Sequence, residues 1–123
     1  MIVMAPISVG ELIDKITILE LKLKHIADDF KIINVRKELD ELNDILSKCD
    51  IPNIDGHRGL LMSINRELWH IEDYKRACEK DQNFGDGFVN AARQVYLKND
   101  HRASIKSQIN EICGSTIVEV KSY

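Results

Sequence analysis

Apolar residues recur three and four positions apart along most of this chain, and that spacing admits few folds other than packed helices. Leu12, Ile16, Leu19, Leu23 and Ile26 form the first stripe. Ile32, Val35, Leu39, Leu42, Leu46 and Cys49 form the second. Leu61, Ile64, Leu68 and Ile71, extended by Cys78, form the third. A fourth runs through Phe88, Ala92, Val95 and Tyr96 and resumes at Ile105, Ile109 and Ile112. With only two prolines and six glycines, little interrupts these runs.

Local signals mark where the stripes begin and end. Ser8 and Glu11 stand in the S-x-x-E spacing of a capping box. Asp28 or Asp29 can cap a second helix, and Pro52, Asn53 and Gly56 mark a loop after it. Gly114 suits the residue that ends a helix in a left-handed turn. The expected fold is all-α: one domain over 1–123, an antiparallel helical bundle of four to five helices over about 8–27, 29–49, 57–80 and 86–113. An extended tail, 116–123, has Val118 and Val120 on one side, and a minor strand pairing of this tail with residues 2–4 is open. The fourth helix is expected to kink or stop at Asn99 and Asp100, two poor helix formers in succession.

Two features point beyond packing. Ile13, Ile18 and Leu21 lie off the first stripe, so helix 1 is apolar on more than one face. It is either central in the domain or shared with a second subunit. Trp69 stands beside the third stripe and suits either edge packing or an interface anchor.

Charge excludes several functions. Seventeen basic and twenty acidic residues give a net charge of −3, with the signs interspersed. The basic footprint of a nucleic-acid binder is missing. No apolar run approaches the roughly 20 residues that span a bilayer. Cys49, Cys78 and Cys113 are odd in number and widely spaced, which suits reduced thiols in a cytoplasmic protein rather than disulfides or zinc.

Three polar constellations are candidates for chemistry. Glu11 and Asp14 on helix 1, with Glu38, Glu41 and Asp44 on helix 2, would come level in an antiparallel hairpin and could hold Mg²⁺ with substrate phosphates. That pattern resembles the acidic pairs of all-α nucleotide pyrophosphohydrolases. The plainer reading is a solvated face neutralised by Lys15, Arg36, Lys37 and Lys48. Glu67 and His70 have the spacing of a di-iron ligand pair, but such sites need two copies and this chain has one. Last, Tyr96, Asn99, Asp100, Arg102 and Lys106 crowd one stretch of helix 4, either as a cap or kink or as a receptor for an anionic ligand.

Residues 8–22 (SVGELIDKITILELK), 34–42 (NVRKELDEL), 68–73 (LWHIED), 96–110 (YLKNDHRASIKSQIN) and 119–123 (EVKSY) together resemble a family of short bacterial and phage proteins catalogued as a domain of unknown function. The resemblance covers nearly the whole chain. It implies an association with glycosyltransferases of surface polysaccharide synthesis and carries no catalytic residues. It draws interest to Asn99, Asp100, Arg102, Glu119, Lys121 and Tyr123.

These readings favour a non-catalytic assembly or interaction module, a homo-oligomer or the binder of a protein partner, with no cofactor, nucleic acid or membrane. One alternative is a Mg²⁺-dependent hydrolase using the acidic hairpin. The other is an anion-binding accessory protein of polysaccharide synthesis working through Arg102 and Lys106.

Overall fold

A computed structural model describes residues 1–117 and 119–122. Ser8 begins the first helix as its spacing suggests: its hydroxyl accepts the backbone N–H of Glu11 at 3.1 Å. Glu11 does not complete the reciprocal half of the box. Its carboxylate turns instead to Lys106, 2.7 Å away on the last helix, and to Lys15 at 3.7 Å. The helix so started, α1, spans Val9–His25. The chain extends at Ile26, and Asp28 caps α2, Asp29–Ser47, by accepting the N–H of Lys31 at 3.0 Å.

Helix α3 spans Asp55–Lys80 and α4 spans Asp86–Cys113. The described residues contain four helices, not five, because α4 runs unbroken through Asn99 and Asp100. Asn99 does not cap a new helix: its side-chain oxygen accepts from Arg102 one turn on, at 3.3 Å. Gly114 ends α4 with φ +65, the left-handed conformation expected of it.

Helix α1 is the centre of the bundle. It packs against all three other helices, while the backbone of α2 approaches α1 alone. Leu12, Ile16 and Leu19 face α2 and close a core around Leu39. Ile13 faces the other way, into a core with Ile54, Leu61, Ile64, Ile105 and Ile109 from the loop before α3, from α3 and from α4. The apolar excess of α1 is thus satisfied within the chain at Ile13 and Leu21, whereas Ile18 is half-buried. Ile13 and Leu21 are each 1% exposed, so neither is available to a second subunit.

The strand pairing of the termini does not form among the described residues. Side chains draw the tail elsewhere: Ser115 Oγ accepts the N–H of Val9 at 3.4 Å, and Glu119 reaches Lys106 at 3.2 Å. Residues 1–7 are left exposed. Val118, expected on one side of the pairing, and Tyr123 lie outside the described residues. No helix among the described residues is long and apolar enough to cross a membrane.

Candidate functional site

Successive residues of a helix are about 100° apart, so Asp14 lies nearly opposite Leu12 on α1. With Leu12 and its stripe turned to α2, Asp14 faces α3 and α4 and is fully buried. A carboxylate there needs partners from both helices. Asn65 of α3 donates from Nδ2 to Asp14 Oδ1 and to Thr17 Oγ1, each at 2.9 Å. Thr17 Oγ1 in turn donates to the backbone carbonyl of Asp14 at 2.8 Å. Arg102 of α4 donates from Nε to Oδ1 at 2.9 Å and from a terminal nitrogen to Oδ2, a two-pronged grip. The described residues leave no buried side-chain nitrogen or oxygen without a partner.

One turn along α4, Lys106 extends the network. Its ammonium lies 2.7 Å from Glu11, 3.2 Å from Glu119 and 3.9 Å from Asp14. The hydrogen bond to Asp14 raises the pKa of Arg102; burial opposes it, and the charges of Asp14, Glu11 and Glu119 add to it. For Lys106, burial pushes the pKa down, but the hydrogen bonds and charges of Glu11, Asp14 and Glu119 outweigh it and the net shift is upward. Both side chains are therefore fixed cations.

Helices α1 and α4 come close enough for this because Gly10 has no side chain. A Cβ there would lie 2.5 Å from the backbone oxygen of Lys106 and 2.8 Å from Asn110 Oδ1. Instead Gly10 N–H donates to that same Oδ1 at 2.7 Å.

Beside the network a cleft of about 390 Å³ opens between α1, α3 and α4. Ile18, Leu21, Leu68, Trp69 and Val95 give it apolar walls. Asn99 and Arg102 line it on α4, and Glu72, Asp73 and Arg76 line it on α3. The ring of Trp69 stacks on His25 with centroids 5.0 Å apart, and His70 meets His25 edge-on at 5.8 Å. Glu72 pairs with Lys75 at 3.4 Å rather than with Arg76, and Arg76 makes no ion pair with any described residue.

The acidic set singled out in the sequence is not brought together. Asp14 is on the face of α1 opposite α2, and both its oxygens are engaged by Asn65 and Arg102. Glu11 is held by Lys106 and Lys15. Glu38, Glu41 and Asp44 are exposed on α2, with Asp44 bound to Lys48 at 3.0 Å. No three His, Cys, Asp or Glu side chains among the described residues are grouped to hold a metal ion. The residues of α4 divide. Asn99 and Arg102 face the cleft, whereas Asp100 and Lys106 line a separate polar pocket with Glu119 and Lys121, and Tyr96 is exposed. Of the interface candidates, Ile18, Leu21 and Trp69 reach the cleft and Ile13 does not. Glu67, the partner of His70 in the ligand-like pair, is bound by Lys98 at 2.9 Å.

Sequence reasoning missed Thr17, Asn65 and Arg76. A signal existed for the first two, each a polar residue directly after a core isoleucine, Ile16 and Ile64. Arg76 stands four residues after Glu72, the spacing of a helical ion pair, and nothing local shows that Lys75 takes that carboxylate instead.

Among curated proteins, the chain is similar to THO complex subunit 5 homolog of Xenopus tropicalis, 24% identical over 99 residues. That match takes in 80% of this chain and 14% of the relative, so the chain spans only a small part of that protein. No solved structure matches it. The model of a family of unknown function, DUF6165, matches residues 3–123, and the chain belongs to that family.

Proposed function

We propose that this chain is a non-catalytic interaction module that receives a segment of a partner protein in the cleft between α1, α3 and α4. The observation that carries this reading is the composition of the cleft. It has apolar walls, the chain's single tryptophan, one guanidinium locked in place and another at the rim without an ion pair to any described residue. Tryptophan and arginine around an apolar pocket are the chemistry of binding hot spots. The one fully buried acid beside the cleft is committed to Arg102 and Asn65, which removes it as a general base or metal ligand. A Mg²⁺-dependent hydrolase would need that acid beside those of α2. Self-association through α1 loses part of its argument, since Ile13 lies in the core and Leu21 is 1% exposed.

The distant relative is by name a subunit of a complex, which is in keeping with a binding role. The three free thiols suit a reducing compartment, and the cytoplasm is our assignment on that ground.

The test is differential capture from the source cells. Wild-type protein and Asp44→Ala, altered on the far side of α1, should retain the same partner. Trp69→Ala, shown folded by circular dichroism, should lose it. Equal recovery by all three proteins would sink the reading.

A further inference from the structure

The chemistry of Arg102 specifies what kind of segment the cleft takes. Its Nε and one terminal nitrogen hold Asp14, and its other terminal nitrogen holds Asn99 at 3.3 Å. Each terminal nitrogen carries a second N–H. Those hydrogens belong to the part of the guanidinium not spent on Asp14, and the side chain is 27% exposed where it lines the cleft. N–H donors on a planar cation suit the oxygens of a carboxylate. Because Asp14 already holds the guanidinium still, little side-chain freedom is left to lose on binding. Arg76 adds a second cation at the rim.

The acids of the rim set the charge the site will accept. Glu72 is paired to Lys75, and Asp73 makes no ion pair with any described residue. A phosphate, with nearly two negative charges, meets more repulsion from these groups than a singly charged carboxylate. Ile18, Leu68 and Val95 call for apolar groups beside the anion.

We propose that the partner segment presents a carboxylate side chain flanked by apolar residues, with Arg102 receiving the carboxylate. This rests on reading the cleft as a partner site. Because Trp69 is the only tryptophan, its emission reports the cleft directly. The probes are three capped tripeptides at millimolar concentration: leucine–glutamate–leucine, leucine–glutamine–leucine and leucine–phosphoserine–leucine. The glutamate peptide should shift the emission saturably. The glutamine peptide should bind roughly tenfold more weakly, for want of charge-assisted hydrogen bonds. The phosphoserine peptide should not bind more tightly than the glutamate one. Arg102 is not substituted, since its loss unpairs Asp14. Arg76→Gln leaves the core untouched and should weaken the glutamate peptide severalfold while hardly moving the glutamine one.

Equal binding of the glutamate and glutamine peptides overturns the carboxylate assignment and leaves the cleft in place. Tightest binding by phosphoserine overturns it in favour of a phosphorylated partner. No emission change with any peptide overturns the cleft itself.

Discussion

Arg102 grips Asp14 across 88 positions of sequence, joining the middle of α4 to the inner face of α1. The pair is asymmetric in its surroundings. Asp14 is sealed from water, while Arg102 keeps an open side toward the cleft. Losing the cation therefore strands a buried charge, whereas losing the acid leaves a cation that can reach water.

Arg102→Ala should accordingly destabilise the protein by about 3 kcal/mol, toward the low end for a broken buried pair because Lys106 stands 3.9 Å from the same carboxylate. Asp14→Ala should cost less. Urea denaturation of both variants and the double variant checks this. The double variant should be more stable than the sum of the single effects implies, by about 1 kcal/mol or more. Strict additivity would show that the two side chains do not act as a pair.

Gly10→Ala tests the close approach that brings Lys106 and Arg102 to α1. The added methyl meets backbone, not a flexible side-chain end, so one helix must shift. We expect a loss of about 1–3 kcal/mol by thermal or urea unfolding. A neutral outcome would mean that α1 and α4 slide apart without cost, and the Lys106–Glu11 contact would then not be tightly held.

Much of the scaffold was legible because its signals are local. The hydroxyl of Ser8, the carboxylate of Asp28 and the left-handed Gly114 act within a turn of where they stand. Of the first stripe, Leu12, Ile16, Leu19 and Leu23 face α2, and Ile26 falls just past the end of the helix. Asp14 was not legible, since an acid three residues from another reads as a charged surface. Its burial follows only once α3 and α4 cover the second face of α1. Asn99 and Arg102 stand out in the sequence where α4 is expected to break, as a candidate anion receptor and in the family resemblance. The helix does not break there, and these residues matter through contacts across the bundle and with each other. The cleft joins residues from three helices, and no spacing within one helix can announce it.

Helix α2 should open before the rest. Its backbone approaches that of α1 alone, Leu39 is its one buried residue, and Phe30 and Ile33 are 79% and 65% exposed. Few buried contacts mean a low free energy of local opening. Hydrogen exchange should show α2 amides less protected than those of α1, α3 and α4. Leu39→Ala should widen that gap, with a cost of about 2 kcal/mol or more if α2 unfolds together with the remainder. Uniform protection across all four helices would contradict a weakly attached α2.

Lys106 gives the bundle an alkaline limit. Its folded pKa lies above the usual 10.5, so the folded state holds this proton more tightly than the unfolded chain does. The resulting stability is fully present below pH 10.5 and is lost as pH rises through the folded value. Tyr74 is also raised, chiefly by its hydrogen bond with Cys78, and loses stability in an overlapping range. Comparison with Lys106→Met separates the two, because Tyr74 is common to both proteins. At neutral pH the variant should melt lower, with Glu11, Asp14 and Glu119 deprived of a shared cation. Above pH 10.5 the two melting curves should converge as wild-type Lys106 loses its proton. A gap in melting temperature that stays constant through that range would show that the charge of Lys106 contributes nothing, and that only its aliphatic stem is needed between α1 and the tail.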